Sequence, residues 1–77
     1  MINTIVLQAK IKEAGLNQGS LAQQIGLDSS SFSLKVNGVR NFTVLEVEKI
    51  ATALRIPTTE LARIFFADYL AEVQEKN

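Results

Sequence analysis

Few residues in this 77-residue chain could carry out covalent chemistry. It has no cysteine and no histidine, which removes the thiolate, the disulfide, the commonest metal ligand and the usual near-neutral proton shuttle. Ser29-Ser30-Ser31 offers three hydroxyls, but no histidine stands ready to activate one, and no lysine falls at a spacing that would substitute. Glu46, Glu48 and Glu60 fall in the early turns of predicted helices, where carboxylates favour the dipole. Neither a phosphate loop nor a metal constellation is present. The sequence therefore predicts no enzyme, cofactor or metal, and no small-molecule ligand is evident. What remains is the chemistry of polar recognition: amides, hydroxyls and cations gathered between residues 16 and 43.

The elements that must position them read LNQGSLAQQIGLDSSSFSLKVNG, Leu16 to Gly38. Asn17 is a good N-cap, and Leu21, Ala22 and Ile25 share one face of a helix from Gln18 to Ile25. Gly26 stops that helix, and Leu27 follows as an apolar plug. Asp28 caps a second helix, Ser29 to Val36, with Phe32 and Val36 turned inward. Asn37-Gly38 closes it; a helix-ending role for Asn37 is at least as well supported as a contact role. Two helices joined by a short glycine-marked turn form a helix-turn-helix, and Ala22 is small enough for their close crossing.

This stretch resembles the helix-turn-helix of the lambda-repressor-like (Cro/cI) family through Leu16, Asn17, Gln18, Leu21, Ala22, Ile25, Gly26, Leu27, Asn37 and Gly38. Residues 32–38, Phe42-Thr43 and Ile64-Phe65-Phe66 are similar to a narrower group of small phage-encoded regulators. The similarity covers roughly residues 4 to 66. It implies a five-helix, all-α DNA-binding domain acting as a transcriptional regulator, with repression as the implied outcome. One position departs from the family: Lys35 stands where an aliphatic residue usually packs. A buried unpaired lysine is costly, so the reading places its stem along the surface with the ammonium outside.

Placed in a DNA major groove, the second helix would present Ser29, Ser30, Ser33 and Leu34 to base edges, as the resemblance also implies. Serine pairs permissively, whereas Leu34 suits a thymine methyl. Gln18 matches a glutamine that in the family contacts the DNA backbone. Helix N-termini bind phosphate, which adds Asn17 and Thr43 as anchors, and Lys35, Arg40 and Asn41 flank the same surface. Asp28 opposes incoming phosphate, and its capping role accounts for it.

The remaining elements form the support. A first helix from about Thr4 to Ala14 carries Leu7 and Ile11 inward and ends at Gly15. Phe42 plugs the core. Thr43 to Glu46 is a capping box opening a helix with an apolar stripe of Val44, Val47, Ile50, Ala51 and Leu54. Pro57 blocks its continuation. Thr58 or Thr59 caps the last helix, expected over about 59–75. There Phe66, Tyr69, Leu70 and Val73 continue an apolar stripe beyond what the core requires. That stripe suits either a homodimer interface or packing back onto Ile2, Ile5 and Val6.

Composition sets the frame: 47% hydrophobic and 21% charged residues make one globular domain over 1–77, with the helix-turn-helix at 17–37. The first residues read as neither signal peptide nor membrane span, so a cytoplasmic protein of a bacterial host is expected. Net charge is zero, unlike the basic signature of many DNA binders. It is polarised, though. Residues 1–40 carry four cations against two anions, and residues 41–77 four against six. Two functions remain in view: a dimeric reader of double-stranded operator DNA, and a protein-interaction module on the same fold, such as an antirepressor, an antitoxin-like partner or an assembly adaptor.

Overall fold

A computed structural model describes residues 2–66, which form five helices in an all-α arrangement. The first, α1 (Thr4–Glu13), starts on an Asn3 cap whose side chain accepts from the Val6 N–H. It buries Leu7 and Ile11 and ends at Glu13, one residue short of the expected Ala14 terminus, with Ala14 as its C-cap. α2 (Gln18–Ile25) and α3 (Ser29–Val36) form the helix-turn-helix. α4 (Val44–Leu54) crosses behind α2, and α5 (Thr58–Phe65) packs on α1.

The corner between α2 and α3 follows from local chemistry. Gly26 adopts φ 80°, ψ 25°, a left-handed conformation that glycine enters without a Cβ clash. The turn brings the Leu27 N–H to the Ala22 carbonyl at 2.9 Å and the Gly26 N–H to Gln23 at 3.3 Å, satisfying carbonyls that the helix end would leave unpaired. Gly38 repeats the device at φ 81° after α3, where Val39 N–H reaches the Leu34 carbonyl at 2.9 Å. Thus Asn37-Gly38 does close α3, with the glycine carrying the left-handed residue.

The predicted inward positions meet in one core. Leu7, Leu21, Phe32, Val36 and Ile50 are fully enclosed, joined by Ile11, Ala22, Ile25, Val47, Leu54, Ile56, Ile64 and Phe65. Phe42 sits half-buried between two edge-to-face partners, Phe32 at 5.8 Å and Phe65 at 5.6 Å between ring centroids, a favoured aromatic geometry. Two polar ties join the start of α1 to α3 and to α5. Thr4 Oγ1 donates to the Val36 carbonyl at 2.8 Å, and Asn3 N–H donates to the Ile64 carbonyl at 2.7 Å. Lys10 of α1 also pairs with Glu60 of α5 at 3.1 Å.

Three expectations need correction. Val44 does not join the apolar stripe of α4; it is 72% exposed, because the first residue of the helix lies beyond the edge of the core that Val47 begins. Neither Thr58 nor Thr59 caps α5. Pro57 occupies that position without a side-chain hydrogen bond, and its carbonyl takes the Glu60 N–H at 2.9 Å. Proline's fixed φ and missing N–H suit the start of a helix. Finally, α5 stops at Phe65: Phe66 has φ −128° and ψ 35°, outside helical geometry, so the helix expected over 59–75 does not run unbroken through that point. Tyr69, Leu70 and Val73 lie outside the described residues.

Candidate nucleic-acid interface

The first turn of α3 is positioned by its cap. Asp28 Oδ1 accepts from the Ser31 N–H at 3.1 Å, which fixes where the helix begins and leaves Ser29 and Ser30 exposed at its N-terminal end. One turn on, Ser33 and Leu34 are half-buried. Ser30, Ser33 and Leu34 fall at i, i+3 and i+4, one continuous strip of the helix. Ser30 and Leu34 lie opposite enclosed Phe32 and Val36, and Ser33 lies between them and that buried face. Ser29, seven residues before Val36, is outside the strip and is exposed only because it opens the helix. Ser33 also meets the Asn37 side chain at 3.4 Å, a long contact at the helix end.

Two further helix N-termini carry the other expected anchors. At α2 the cap is reciprocal: Asn17 Oδ1 accepts from the Ser20 N–H at 2.8 Å, and Ser20 Oγ accepts from the Asn17 N–H at 3.0 Å. Asn17 is legible in the sequence as a cap and Ser20 as its partner is not, because the familiar capping box has glutamate or glutamine at that third position. Gln18 is half-buried beside Gln8, Lys12, Leu16 and Asn17 in a shallow concavity. Lys12, in the last turn of α1, lies beside Gln18 and is a second exposed cation of this surface. At α4, Thr43 Oγ1 accepts from the Glu46 N–H at 3.1 Å, and Glu46 Oε1 accepts from the Thr43 N–H at 2.9 Å. Arg40 and Asn41, in the connection between α3 and α4, are both exposed.

Lys35 is the correction that matters most. Its ammonium does not stand outside. Nζ donates to both oxygens of Glu46, at 2.7 and 2.8 Å, and the side chains keep only 14% and 15% exposure. A lysine at a core-facing position needs a partner more than it needs solvent, and the capping glutamate of α4 supplies it. No local pattern announces a pair eleven residues apart across a loop. The usable signal was the misfit lysine itself.

Both carboxylates near this surface are held below their ordinary pKa. For Glu46, burial acts to raise it, but hydrogen bonds from Lys35 and Thr43 and the lysine charge outweigh that effect. For Asp28 the cause is hydrogen bonding from Ser31, first its side chain and then its backbone, with a smaller contribution from the Arg40 charge. The sign follows directly. The folded protein releases these protons more readily than the unfolded chain, so their contribution is complete above ordinary carboxylate values of 3.8 and 4.5. It is lost as pH falls through the depressed folded values. With no histidine in the chain, the urea midpoint is expected to stay level from about pH 8 to about pH 5.5. It should drop only in acid, and less so in Glu46→Gln. A midpoint that drifts with pH across the neutral range would contradict this.

Five helices, with α2 and α3 joined by the glycine-marked turn, define a small all-α helix-turn-helix domain. The chain is 40% identical over 50 residues to "Control protein C.MunI" from Mycoplasma sp, an alignment covering 65% of this chain and 68% of that one. The chain belongs to that control-protein family. No family model matches it, and no solved structure matches it. Among the described residues, no helix is long and apolar enough to cross a membrane.

Proposed function

We propose that the protein is a sequence-specific reader of double-stranded operator DNA that controls transcription as a homodimer, acting as a repressor in the manner of small phage regulators. The observation that carries the reading is the single strip formed by Ser30, Ser33 and Leu34 on α3, with Ser29 exposed at its start and the N-terminus of α4 tied to the same helix through Lys35 and Glu46. An eight-residue helix is roughly 12 Å long, and a major groove about 12 Å wide admits it. Serine hydroxyls accept or donate to several bases, and Leu34 packs on a thymine methyl. Asn17, Gln18, Asn41 and Thr43 position the backbone, and Arg40 with Lys12 supplies the charge. Lys35 is not in that set, because Glu46 holds it. Two protomers would span half-sites about 34 Å apart, and occupying such a site blocks polymerase without chemistry. The homodimer contact proposed through Phe66, Tyr69, Leu70 and Val73 rests on their apolar spacing, with Phe66 itself 48% exposed. A cytoplasmic location in a bacterial host follows from the same reading.

Loss of Arg40 separates charge from sequence reading. Arg40→Ala is expected to weaken binding to every duplex similarly and to flatten the dependence of log K on log salt by about 0.9 per protomer. Leu34→Ala should keep that slope and relax preference at one base position, a difference of about 1–3 kcal/mol against the wrong base. Competition binding across single-base variants of the site distinguishes them. An unchanged base profile in Leu34→Ala would mean that another face of α3 does the reading.

The second reading, a protein-interaction module, is favoured by exposed Val39, Val44 and Leu45 around the end of α3 and the start of α4. An apolar interface would barely respond to salt. With two cations per protomer, a DNA-bound dimer should instead lose about 10²-fold in affinity between 50 and 200 mM salt.

A further inference from the structure

Lys35 and Glu46 tie the proposed recognition helix to the start of α4. The cation belongs to α3, and the anion closes the N-terminal turn of α4, where it also takes the Thr43 N–H. Alone, each would act on DNA without regard to sequence. A free ammonium attracts any phosphate, and a carboxylate at a helix N-terminus opposes phosphate capture by the amides beside it. Joined at 2.7 and 2.8 Å, their fields cancel within a short distance, and the two helices are held at one spacing.

We propose that Lys35 and Glu46 form a positioning pair that fixes the recognition helix against α4 and withholds the Lys35 charge from the DNA backbone, thereby favouring sequence choice over general affinity. The inference rests on the DNA-binding reading above and deepens it. It gives Lys35 the opposite role to a phosphate ligand, and the two roles have opposite consequences.

The test compares the full chain with Glu46→Gln, whose amide oxygen keeps the capping box acceptor. Binding to random-sequence duplex and to the preferred site is titrated over a salt series. Releasing Lys35 should raise random-duplex affinity three- to tenfold at low salt and steepen the salt slope by about 0.9 per protomer, so the ratio of specific to random binding falls. Lys35→Met should leave the random-duplex slope unchanged, and Lys35→Arg, which keeps the ion pair, should keep the wild-type ratio. An unchanged slope and random-duplex affinity in Glu46→Gln would overturn the proposal, since a purely structural pair alters stability alone. A slope reduced by about 0.9 per protomer in Lys35→Met would overturn it too, by making Lys35 a direct phosphate ligand. A wild-type protein with no salt-dependent duplex binding would instead bring down the DNA-binding reading itself, a failure visible before any variant is made.

Discussion

Phe32→Ala is expected to leave the protein without a cooperative unfolding transition. The ring is fully enclosed and contacts Phe42, which in turn contacts Phe65, so one truncation opens a cavity and removes an aromatic chain that links α3 to α5. Phe→Ala changes in cores cost about 3–5 kcal/mol. Small domains begin near 5 kcal/mol of total stability, and 77 residues bury too little surface to absorb such a loss. Urea titration followed by circular dichroism should show a sloping baseline in place of the wild-type transition. Phe32→Leu, which refills most of the volume, should restore one at a lower midpoint. A cooperative Phe32→Ala transition within about 1 kcal/mol of wild type would mean that the aromatic contacts contribute little beyond filling space.

The second large effect is expected at Lys35. Lys35→Met keeps an apolar stem against the core but leaves the Glu46 carboxylate mostly buried with only the Thr43 N–H as donor. Removing one partner of a fully buried pair costs about 3–5 kcal/mol. Since these side chains retain 14% and 15% exposure, a loss of about 2 kcal/mol is the better expectation. Glu46→Gln should cost less, because the lysine stem can swing its ammonium to water. The double variant should be more stable than the sum of the two losses implies, since the stranded carboxylate is gone. Strict additivity in that cycle would show that the two groups do not interact in solution.

These two residues also mark what could and could not be read in the sequence. Phe32 was legible, as were Leu21, Ala22, Ile25, Val36, Val47, Ile50 and Leu54, because helical spacing of apolar residues records burial directly. The turn was equally plain from Gly26 and Leu27. Lys35 was visible as a misfit, but its resolution was not, since the partner comes from another helix and periodicity carries no information between helices. Val44 shows a second limit: a stripe continues in sequence to the end of a helix, while the core beneath it stops one turn sooner. Arg55 shows a third. It ends α4 at φ 54°, ψ 44°, a left-handed position at which glycine would have announced the stop and arginine does not. At the candidate site, the strip on α3 followed from capping and spacing. The nearness of Lys12 to Gln18 required the packing of α1 on α2.

The control-protein relationship and the α3 strip agree on a regulator, and the account's central claim is that this strip reads duplex sequence. Selection from random duplex DNA with the purified full chain at moderate salt tests it most directly. The account predicts enrichment of a partly palindromic site, with half-sites about one helical turn apart. Failure to enrich any sequence, repeated at low salt, would contradict it.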